Sequence, residues 1–183
     1  MVRVFEPASP VLSLGRRSMR SDIDAHSAAL AASRSLQVRT DDRGGRATLH
    51  LPGQIVALIA LPLGRTDVGR LAVALLAAAG EFALNCGQPT TIGEGAALGL
   101  WVDDRKLASI GLRHEHGIVR HGIALNVAVA SELATGLSLC GSETSALATI
   151  GPPQPAPLAG SLLAAFASNI AATVRIFMPL EPV

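Results

Sequence analysis

Cysteine, aromatic residues and charge are all scarce in this chain of 183 residues. Only two cysteines occur, Cys86 and Cys140, which are too few for a disulfide framework. Aromatic residues make up 3% and tyrosine is absent, so an aromatic platform that stacks nucleic-acid bases is not expected. The formal net charge of +1 excludes a broad electrostatic field for nucleic acid as well.

Long apolar segments are also missing. The longest helical apolar run, Leu71–Ala79, is well short of the roughly 20 residues that cross a bilayer. Met1–Pro10 lacks the apolar stretch of a secretory signal. We therefore expect a cytoplasmic protein that does not bind membranes, whose mean hydropathy of +0.42 reflects a dense core rich in Ala and Leu.

The spacing of apolar and turn-forming residues predicts one α+β domain over residues 1–183. Six strands are predicted, at Val11–Leu14, Leu36–Thr40, Gln54–Leu63, Leu98–Val102, Lys106–Leu112 and Ile118–Val129. Three helices are predicted, at Asp22–Ser33, Asp67–Leu84 and Leu158–Val174. The Gln54–Leu63 run is almost continuously apolar, which is typical of a strand buried on both faces.

The first of three constellations that could carry chemistry is Arg43–Gln54. It combines the glycine pair Gly44-Gly45 with His50 and the turn Pro52-Gly53. Such glycines let a backbone approach a ligand closely. Two turns that flank a short strand explain the same residues without any function, so both interpretations stay open.

The second constellation centres on Lys106, which follows Gly99-Leu100-Trp101-Val102 and a hairpin turn at Asp103-Asp104. A lysine in an apolar strand usually lies on the solvated face. If Lys106 is drawn inward instead, desolvation makes its amine a usable base.

The third constellation contains His121–Val127 and the segment Leu139-Cys140-Gly141. A lone cysteine is most often a small buried hydrophobic residue, and Cys86 is expected to be one. Cys140 lies in a glycine-rich loop, where a cysteine beside a base is a candidate nucleophile.

In their order and spacing, these segments resemble the octanoyltransferases, also called lipoyl(octanoyl) transferases. The resemblance runs from Pro10 to Thr149 and is carried by Pro10–Arg16, Arg43–Gln54, Gly99–Val102, Lys106–Gly111, His121–Val127 and Cys140-Gly141. Three positions depart from the family pattern, because Leu49 replaces an aromatic residue, Leu51 replaces a glycine and Leu139 replaces a proline.

The resemblance implies the mixed β-sheet flanked by helices of the biotin/lipoate protein ligase superfamily. It implies that Cys140 takes an octanoyl group from octanoyl-acyl carrier protein as a thioester and that Lys106 is its base. The acceptor would be a lysine on a lipoyl domain of a 2-oxoacid dehydrogenase complex or on glycine cleavage H protein. No cofactor or metal is implied.

The same resemblance implies which residues form the site. Those that bind the acyl group would be Arg43, Gly44, Gly45, Arg46, Ala47, Thr48, Leu49, His50, Ser109, Ile110, Gly111, Gly122, Ile123 and Ala124. Supporting positions would be Pro52, Gly53, Gln54, His121 and Asn126. Leu51 lies among them, and we expect its side chain to narrow the pocket.

Two other functions remain open. An ATP-dependent lipoate- or biotin-protein ligase keeps the glycine pair and the lysine but does not need Cys140. Intact Lys106 and Cys140 argue against a non-catalytic paralogue that binds lipoyl domains or acyl carrier protein, and the departures at Leu51 and Leu139 keep it open. The segment before Pro10 keeps it open as well, because the family's strand and helix are expected to be nearly absent there, which leaves a sheet edge open or covered by a partner.

Overall fold

The computed structural model describes residues 1–23, 28, 31–33, 36–130, 147–152 and 157–178, and the backbone of residues 138–139 and 142–143. The strands are β1 (Val2–Phe5), β2 (Val11–Leu14), β3 (Gln37–Thr40), β4 (Ala47–His50), β5 (Gln54–Pro62), β6 (Thr91–Gly93), β7 (Gly99–Val102), β8 (Arg105–Glu115), β9 (Ile118–Asn126), β10 (Ser138–Leu139) and β11 (Ser142–Glu143). The helices are α1 (Val68–Asn85) and α2 (Gly160–Ile176), with 3₁₀ turns at Arg20–Asp22, Arg65–Asp67 and Gly95–Ala97.

Six antiparallel strands form the main sheet in the order β1-β5-β9-β8-β7-β6. Helices α1 and α2 pack on one face of this sheet because each carries an apolar stripe. The two stripes meet where Phe82 and Phe166 contact edge to face, with ring centroids 5.2 Å apart. None of the described helices is both long and apolar enough to cross a membrane.

A second sheet has the order β3-β2-β4, with β2 parallel to β3 and antiparallel to β4. Leu12 and Leu49 point from it into a second apolar cluster with Leu36, Leu51 and Val129. Side chains alternate along a strand, so the residues on either side of Leu12 and Leu49 face the opposite way, toward the main sheet. They are Val11, Ser13, Thr48 and His50.

The interior strand β5 was predicted as buried on both faces, and this is confirmed. Ile55, Ala57 and Ile59 lie in the core under the helices. Val56 and Leu58 point from the other face into a cavity between the two sheets. The absence of alternation in the sequence thus reflects two different apolar environments rather than one.

Three expectations were wrong. Val2–Phe5 forms strand β1, which pairs with β5 from Val2↔Ile59 to Phe5↔Val56, so a strand is present before Pro10 and it pairs the edge of β5. The helix predicted over Asp22–Ser33 does not begin at Asp22, because Asp22 ends a 3₁₀ turn and is buried against Arg46, although residues 28 and 31–33 of the predicted range are helical. Cys86 is exposed rather than in the core, because α1 ends one residue before it.

Candidate active site

A cavity of about 600 Å³ lies between the main sheet and the three-stranded sheet. One wall comes from β5, β8 and β9, and it includes the cross-strand pairs Ser109↔Ala124 and Gly111↔Gly122. A Cβ atom at Gly122 would lie 2.0 Å from the carbonyl oxygen of Ala57, and one at Gly111 would lie 2.9 Å from that of Gly44, so these two glycines accommodate neighbouring backbone. The small side chains of Ser109 and Ala124 leave room for a ligand beside a continuous hydrogen-bonded sheet.

The Arg43-Gly44-Gly45 loop is held tightly between β2 and β8. A Cβ atom at Gly44 would lie 2.2 Å from the carbonyl oxygen of Leu112, and one at Gly15 would lie 2.6 Å from that of Gly45. Only glycine fits at such distances. The glycine pair thus brings the backbone close to another strand, which in turn fixes where the side chain of Arg43 enters the cavity.

Arg43 is buried and lines the cavity. Its Nε donates to the Ser13 hydroxyl at 2.9 Å, and its Nη2 donates to the Ser13 carbonyl at 2.7 Å. Its Nη1 donates to the carbonyl of Gly44 at 3.1 Å. The guanidinium is therefore a fixed positive charge in the cavity wall, and these neutral groups are among the partners that hold it.

His50 ends β4 opposite Val11 and also lines the cavity. Its Nδ1 is buried and has no hydrogen-bond partner among the described residues. Burial, followed by the nearby charge of Arg43, lowers the pKa of His50 below its usual value, although Gln54 and Asp41 oppose this. The imidazole is accordingly neutral at pH 7, and its Nδ1 is a buried polar atom in a residue that lines the cavity.

A buried pair of amides connects β4, β5, β8 and β9. The Gln54 amide donates to Asn126 Oδ1 at 2.8 Å and to the Leu49 carbonyl at 3.2 Å. Asn126 in turn donates to the carbonyls of Lys106 at 3.2 Å and Ala148 at 3.1 Å. Buried polar groups that are fully paired in this way rigidify a core, so the network fixes the backbone around Lys106.

Lys106 is half-buried at the start of β8. Its Nζ lies 5.0 Å from the centroid of the Trp101 ring. Its carbonyl accepts a hydrogen bond from the Ala148 N–H at 3.0 Å, and it forms a parallel bridge with Leu147. The chain that returns from Cys140 therefore runs directly beside Lys106, although Cys140 itself and Gly141 lie outside the described residues.

Residues 1–150 match the family described as the lipoyl protein ligase A/B catalytic domain. The chain belongs to this family. The Octanoyltransferase of Legionella pneumophila (strain Corby) is 35% identical over 113 residues, which cover 58% of this chain and 54% of the relative. The Octanoyltransferase of Thiobacillus denitrificans (strain ATCC 25259 / T1) is 35% identical over 133 residues, or 72% and 58% of the two chains. The resemblance to the octanoyltransferases is thereby confirmed, and the chain spans little more than half the length of these curated relatives.

Solved structures confirm the predicted superfamily fold. A lipoate-protein ligase A bound with ATP superposes with a TM-score of 0.76 at 11% identity, covering 100% of this chain and 75% of that one. A bi-partite lipoate protein ligase from Thermoplasma acidophilum gives 0.72 at 13% identity, covering 100% and 74%. A biotin protein ligase from Aquifex aeolicus, in complex with biotin and ATP, gives 0.53 at 14% identity, covering 90% and 71%. At such identities the likeness shows the fold alone.

The lipoyl protein ligase fold brings nine of the fourteen predicted acyl-binding residues to the cavity. They are Arg43, Thr48, His50, Ser109, Ile110, Gly111, Gly122, Ile123 and Ala124. The other five do not line it. Gly44, Gly45 and Ala47 belong to the loop and strand behind the wall, Arg46 pairs with the buried Asp22, and Leu49 lies in the second apolar cluster.

The supporting positions act mainly through the backbone. Gly53 has a φ of +87°, and its carbonyl accepts hydrogen bonds from the N–H groups of Val127 at 3.0 Å and Ala128 at 2.9 Å. Its own N–H donates to the Glu6 carboxylate at 2.7 Å. The Pro52-Gly53 turn therefore ties the end of β4 to the end of β9 and to the N-terminal segment.

Leu51 does not narrow the cavity, contrary to expectation. Its side chain is fully buried in the second apolar cluster, against neighbours that include Leu12 and Leu36, and it does not line the cavity. The strand ends at His50, and the following turn directs residue 51 away from the open space. The departure from the family's glycine is therefore accommodated by the core.

Several cavity residues were not predicted. Phe5, Pro7, Ala8 and Ser9 come from the N-terminal segment, and Val56 and Leu58 come from β5. The apolar run of β5 contained the signal for the last two, because a strand buried on both faces must contribute side chains to each. The sequence contained no such signal for the N-terminal residues, since they reach the cavity only through the long-range pairing of β1 with β5.

An ion-pair cluster lies at one edge of the cavity. His121 Nε2 contacts Asp42 Oδ1 at 2.6 Å, and Arg113 and Arg120 each contact Asp42 Oδ2 at 3.0 Å. Burial opposes ionisation, but the His121 hydrogen bond and the three neighbouring charges prevail and lower the pKa of Asp42. With Asp41, these groups bring three donor atoms within 4.8 Å, a spacing that could hold a metal ion, but the carboxylate of Asp42 is already engaged.

Proposed function

We propose that residues 1–183 form one catalytic domain that transfers an octanoyl group to a lysine of a lipoyl domain. Membership of the lipoyl protein ligase A/B family and the similarity to proteins named Octanoyltransferase support this activity. The donor would be octanoyl-acyl carrier protein, and the acceptor a lipoyl domain of a 2-oxoacid dehydrogenase complex or glycine cleavage H protein. Catalysis would take place in the cytoplasm.

The observation that carries the proposal is the convergence of three distant segments on one cavity. Residues 43–50, 109–111 and 122–124 meet there, and Val56, Leu58 and Phe5 add apolar surface. Burial contributes ~0.8 kcal/mol per CH₂, so a cavity of this kind binds the tail of an octanoyl group with several kcal/mol of selectivity over much shorter chains.

Two steps complete the transfer. In the first, the amine of Lys106 takes the proton of the Cys140 thiol, and Sγ attacks the carbonyl carbon of the donor thioester. The new C–S bond forms, the bond to the donor sulfur breaks, and the released thiolate takes the proton from the Lys106 ammonium. In the second, a neutral lysine amine of the acceptor attacks the same carbon, the C–Sγ bond breaks, and the amine's surplus proton passes to Sγ through Lys106.

The placement of Lys106 supports this division of labour. The strand that carries it is fixed by Asn126, and the returning chain at Leu147 and Ala148 is hydrogen-bonded to it. Cys140 is only seven residues before Leu147. A thioester intermediate also suits two macromolecular substrates that use one cavity in turn, because the acyl group stays on the enzyme between them.

His50 and Arg43 would serve the polar end of the ligand. The neutral imidazole has an unpaired buried Nδ1 among the described contacts, and the Arg43 guanidinium is a fixed cation in the same wall. Both types of group stabilise the negative charge that develops on a thioester oxygen during attack. We assign His50 to shaping and polarising the pocket, and the proton transfers to Lys106.

Intact-mass spectrometry tests the proposal directly. The purified protein is mixed with octanoyl-acyl carrier protein in the absence of ATP, and we expect one octanoyl adduct on Cys140 that hydroxylamine removes. Adding a lipoyl domain should discharge the adduct and produce an amide on the acceptor lysine. An adduct that never forms, while octanoate and ATP support acceptor modification, would instead identify a ligase.

The second cysteine offers a matched control. Cys86 is exposed at the end of α1, so Cys86→Ser should keep the adduct and the transfer rate. Cys140→Ser should lose both while its thermal melt stays close to wild type. Near-normal transfer by Cys140→Ser would refute the nucleophile assignment, and neither the adduct nor acceptor modification in any condition would favour a non-catalytic paralogue.

A further inference from the structure

The only tryptophan of the chain lies against its only lysine. Of the 15 Lys and Arg residues, Lys106 alone is lysine, and Trp101 is the single tryptophan. The distance of 5.0 Å from Lys106 Nζ to the indole centroid lies within the range of about 6 Å over which a ring attracts an ammonium group. Arginine fills every other basic position, and arginine does not release its proton in proteins.

The indole is itself anchored. Its Nε1–H donates to the carbonyl of Ala97 at 2.8 Å, and Trp101 is the cross-strand partner of Lys106 in the β7–β8 ladder. The register of this ladder shifts between Leu100 and Trp101. Such irregularities re-aim side chains next to functional sites, and this one directs both residues of the pair.

A glycine pair makes room for the contact. Gly93 and Gly99 face each other in the β6–β7 ladder. A Cβ atom at Gly99 would lie 2.6 Å from Cε of Lys106, and one at Gly93 would lie 2.7 Å from Nε1 of Trp101. Both distances are too short for any side chain. Two strands therefore lack side chains at the points where the lysine stem and the indole pass.

We propose that Trp101 is a positioning residue that fixes the Lys106 amine for its two proton transfers, an inference that rests on the proposed function of Lys106 as base. A lysine stem has four rotatable carbons, and each transfer requires the amine at one place. The ring face restricts the stem to conformers that cross Gly99. In this role Trp101 acts only through the amine of Lys106.

The two unique residues make the contact directly measurable. In protein labelled with ¹³C-lysine, the spectrum contains a single ε-CH₂ signal, and we expect an upfield ring-current shift in wild type. Trp101→Leu should move this signal to the position of free lysine. As the reciprocal test, Lys106→Met should change the emission of the single tryptophan. A lysine signal unchanged in Trp101→Leu would overturn the proposal.

Kinetics then separate positioning from a structural role. We expect Trp101→Leu to lower kcat for octanoyl transfer about threefold to tenfold with KM unchanged, the range that a lost cation–π contact gives. Trp101→Phe keeps a ring face but lacks the bond to Ala97, so its shift and kcat should be intermediate. If Trp101→Leu does not fold, Trp101→Phe provides the test in its place. Wild-type kcat in either variant, or equal losses in both, would overturn the proposal.

Two controls complete the design. Phe177→Leu removes a different cation–π contact, with Arg70 at 6.0 Å, and should leave the lysine signal and kcat unchanged. A wild-type protein that shows the ring-current shift but transfers no octanoyl group would overturn the proposed function and with it the positioning role. A wild type that transfers while Trp101→Leu transfers equally well overturns the positioning role alone.

Discussion

The two faces of the main sheet come from the same strands but differ in how closely they are packed. On the helix face, Ile55, Ile59 and Leu125 are buried in one core cluster with residues of α1 and α2. On the cavity face, Ala124 and Gly122 are set next to Ser109 and Gly111, and a space of about 600 Å³ remains open. The helix face thus contributes stability through packing, whereas the cavity face makes fewer apolar contacts and leaves space for a ligand.

This contrast follows from the alternation of side chains along β8 and β9. Ser109 and Ala124 are paired on the cavity face, whereas Ile110 and Ile123, although they border the cavity too, are paired at the next position and pack against the core under the helices. A substitution at Ser109 or Ala124 should therefore affect ligand binding, and a substitution at the neighbouring Ile110 or Ile123 should affect the stability of the fold. The predictions below test this separation.

The largest effect is expected on the helix face, at Phe166. Its ring is fully buried and contacts Phe82 edge to face. Phe166→Ala should reduce the free energy of unfolding by about 3–5 kcal/mol, because it leaves a large void in a packed core. Urea denaturation measures this loss. Activity per folded molecule should stay near wild type, and a loss of activity without a loss of stability would break the comparison between the faces.

The next effect is expected in the second apolar cluster, at Leu51. Because this side chain is fully buried, Leu51→Ala should cost about 2–5 kcal/mol of stability. The ratio of octanoyl to hexanoyl transfer should not change, and the same holds for Leu51→Gly. A Leu51 side chain that narrowed the pocket, as the sequence had suggested, would make both variants raise this ratio, so a raised ratio in both would place Leu51 at the cavity after all.

On the cavity face, Ala124→Leu adds three carbon atoms to a wall made of small residues. If these fill the space that the end of the acyl chain occupies, each displaced CH₂ costs ~0.8 kcal/mol, or about a fourfold change in affinity. The ratio of octanoyl to hexanoyl transfer should fall by at least this factor, while the thermal melt changes little. An unchanged ratio together with a large loss of stability would show that Ala124 belongs to the packed face.

The smallest effect concerns protonation of His50, whose pKa is lowered in the folded state mainly by burial. The unfolded chain binds this proton first as the pH falls, so folding loses stability below the ordinary histidine pKa of 6.5, down to the lowered value. His50→Asn should remove this part of the acid sensitivity. Melting temperatures of wild type and His50→Asn between pH 7 and 5 should therefore converge or cross as the pH falls.

The exposed turn residue His116 gives the matched control for that titration. It has a φ of +50°, a conformation that asparagine also adopts readily, so His116→Asn keeps the turn. We expect its melting temperature to follow wild type across the same pH range. A His116→Asn profile identical to that of His50→Asn would show that burial of His50 is not the cause.

Local pattern was enough to predict the elements whose partners are close in sequence. The β7–β8 and β8–β9 hairpins follow from turn residues at Asp103-Asp104 and His116-Gly117, and α1 follows from its apolar spacing. Strand β1 could not be identified in this way, because its four residues pair with β5 more than fifty positions away. Its apolar residues carry no sign of that partner.

The candidate site shows the same limit. Spacing and resemblance selected the correct segments, but they could not separate residues that face the cavity from residues that shape the backbone behind it. Gly44 and Leu49 belong to matched segments, yet one meets the carbonyl of Leu112 and the other enters the second apolar cluster. Cys86 follows Phe82 by one helical turn and fits the apolar stripe, but the helix ends at Asn85.

The near-complete replacement of lysine by arginine has a consequence for the protein's own surface. A protein that handles an activated acyl group and delivers it to an amine is exposed to self-acylation at every accessible ε-amine. This chain has no such group besides Lys106, because its remaining side-chain cations are guanidinium groups, which stay protonated and are poor acyl acceptors. Prolonged incubation with an octanoyl donor should therefore leave the protein free of stable side-chain amide adducts outside residue 106, so its composition protects it from self-acylation.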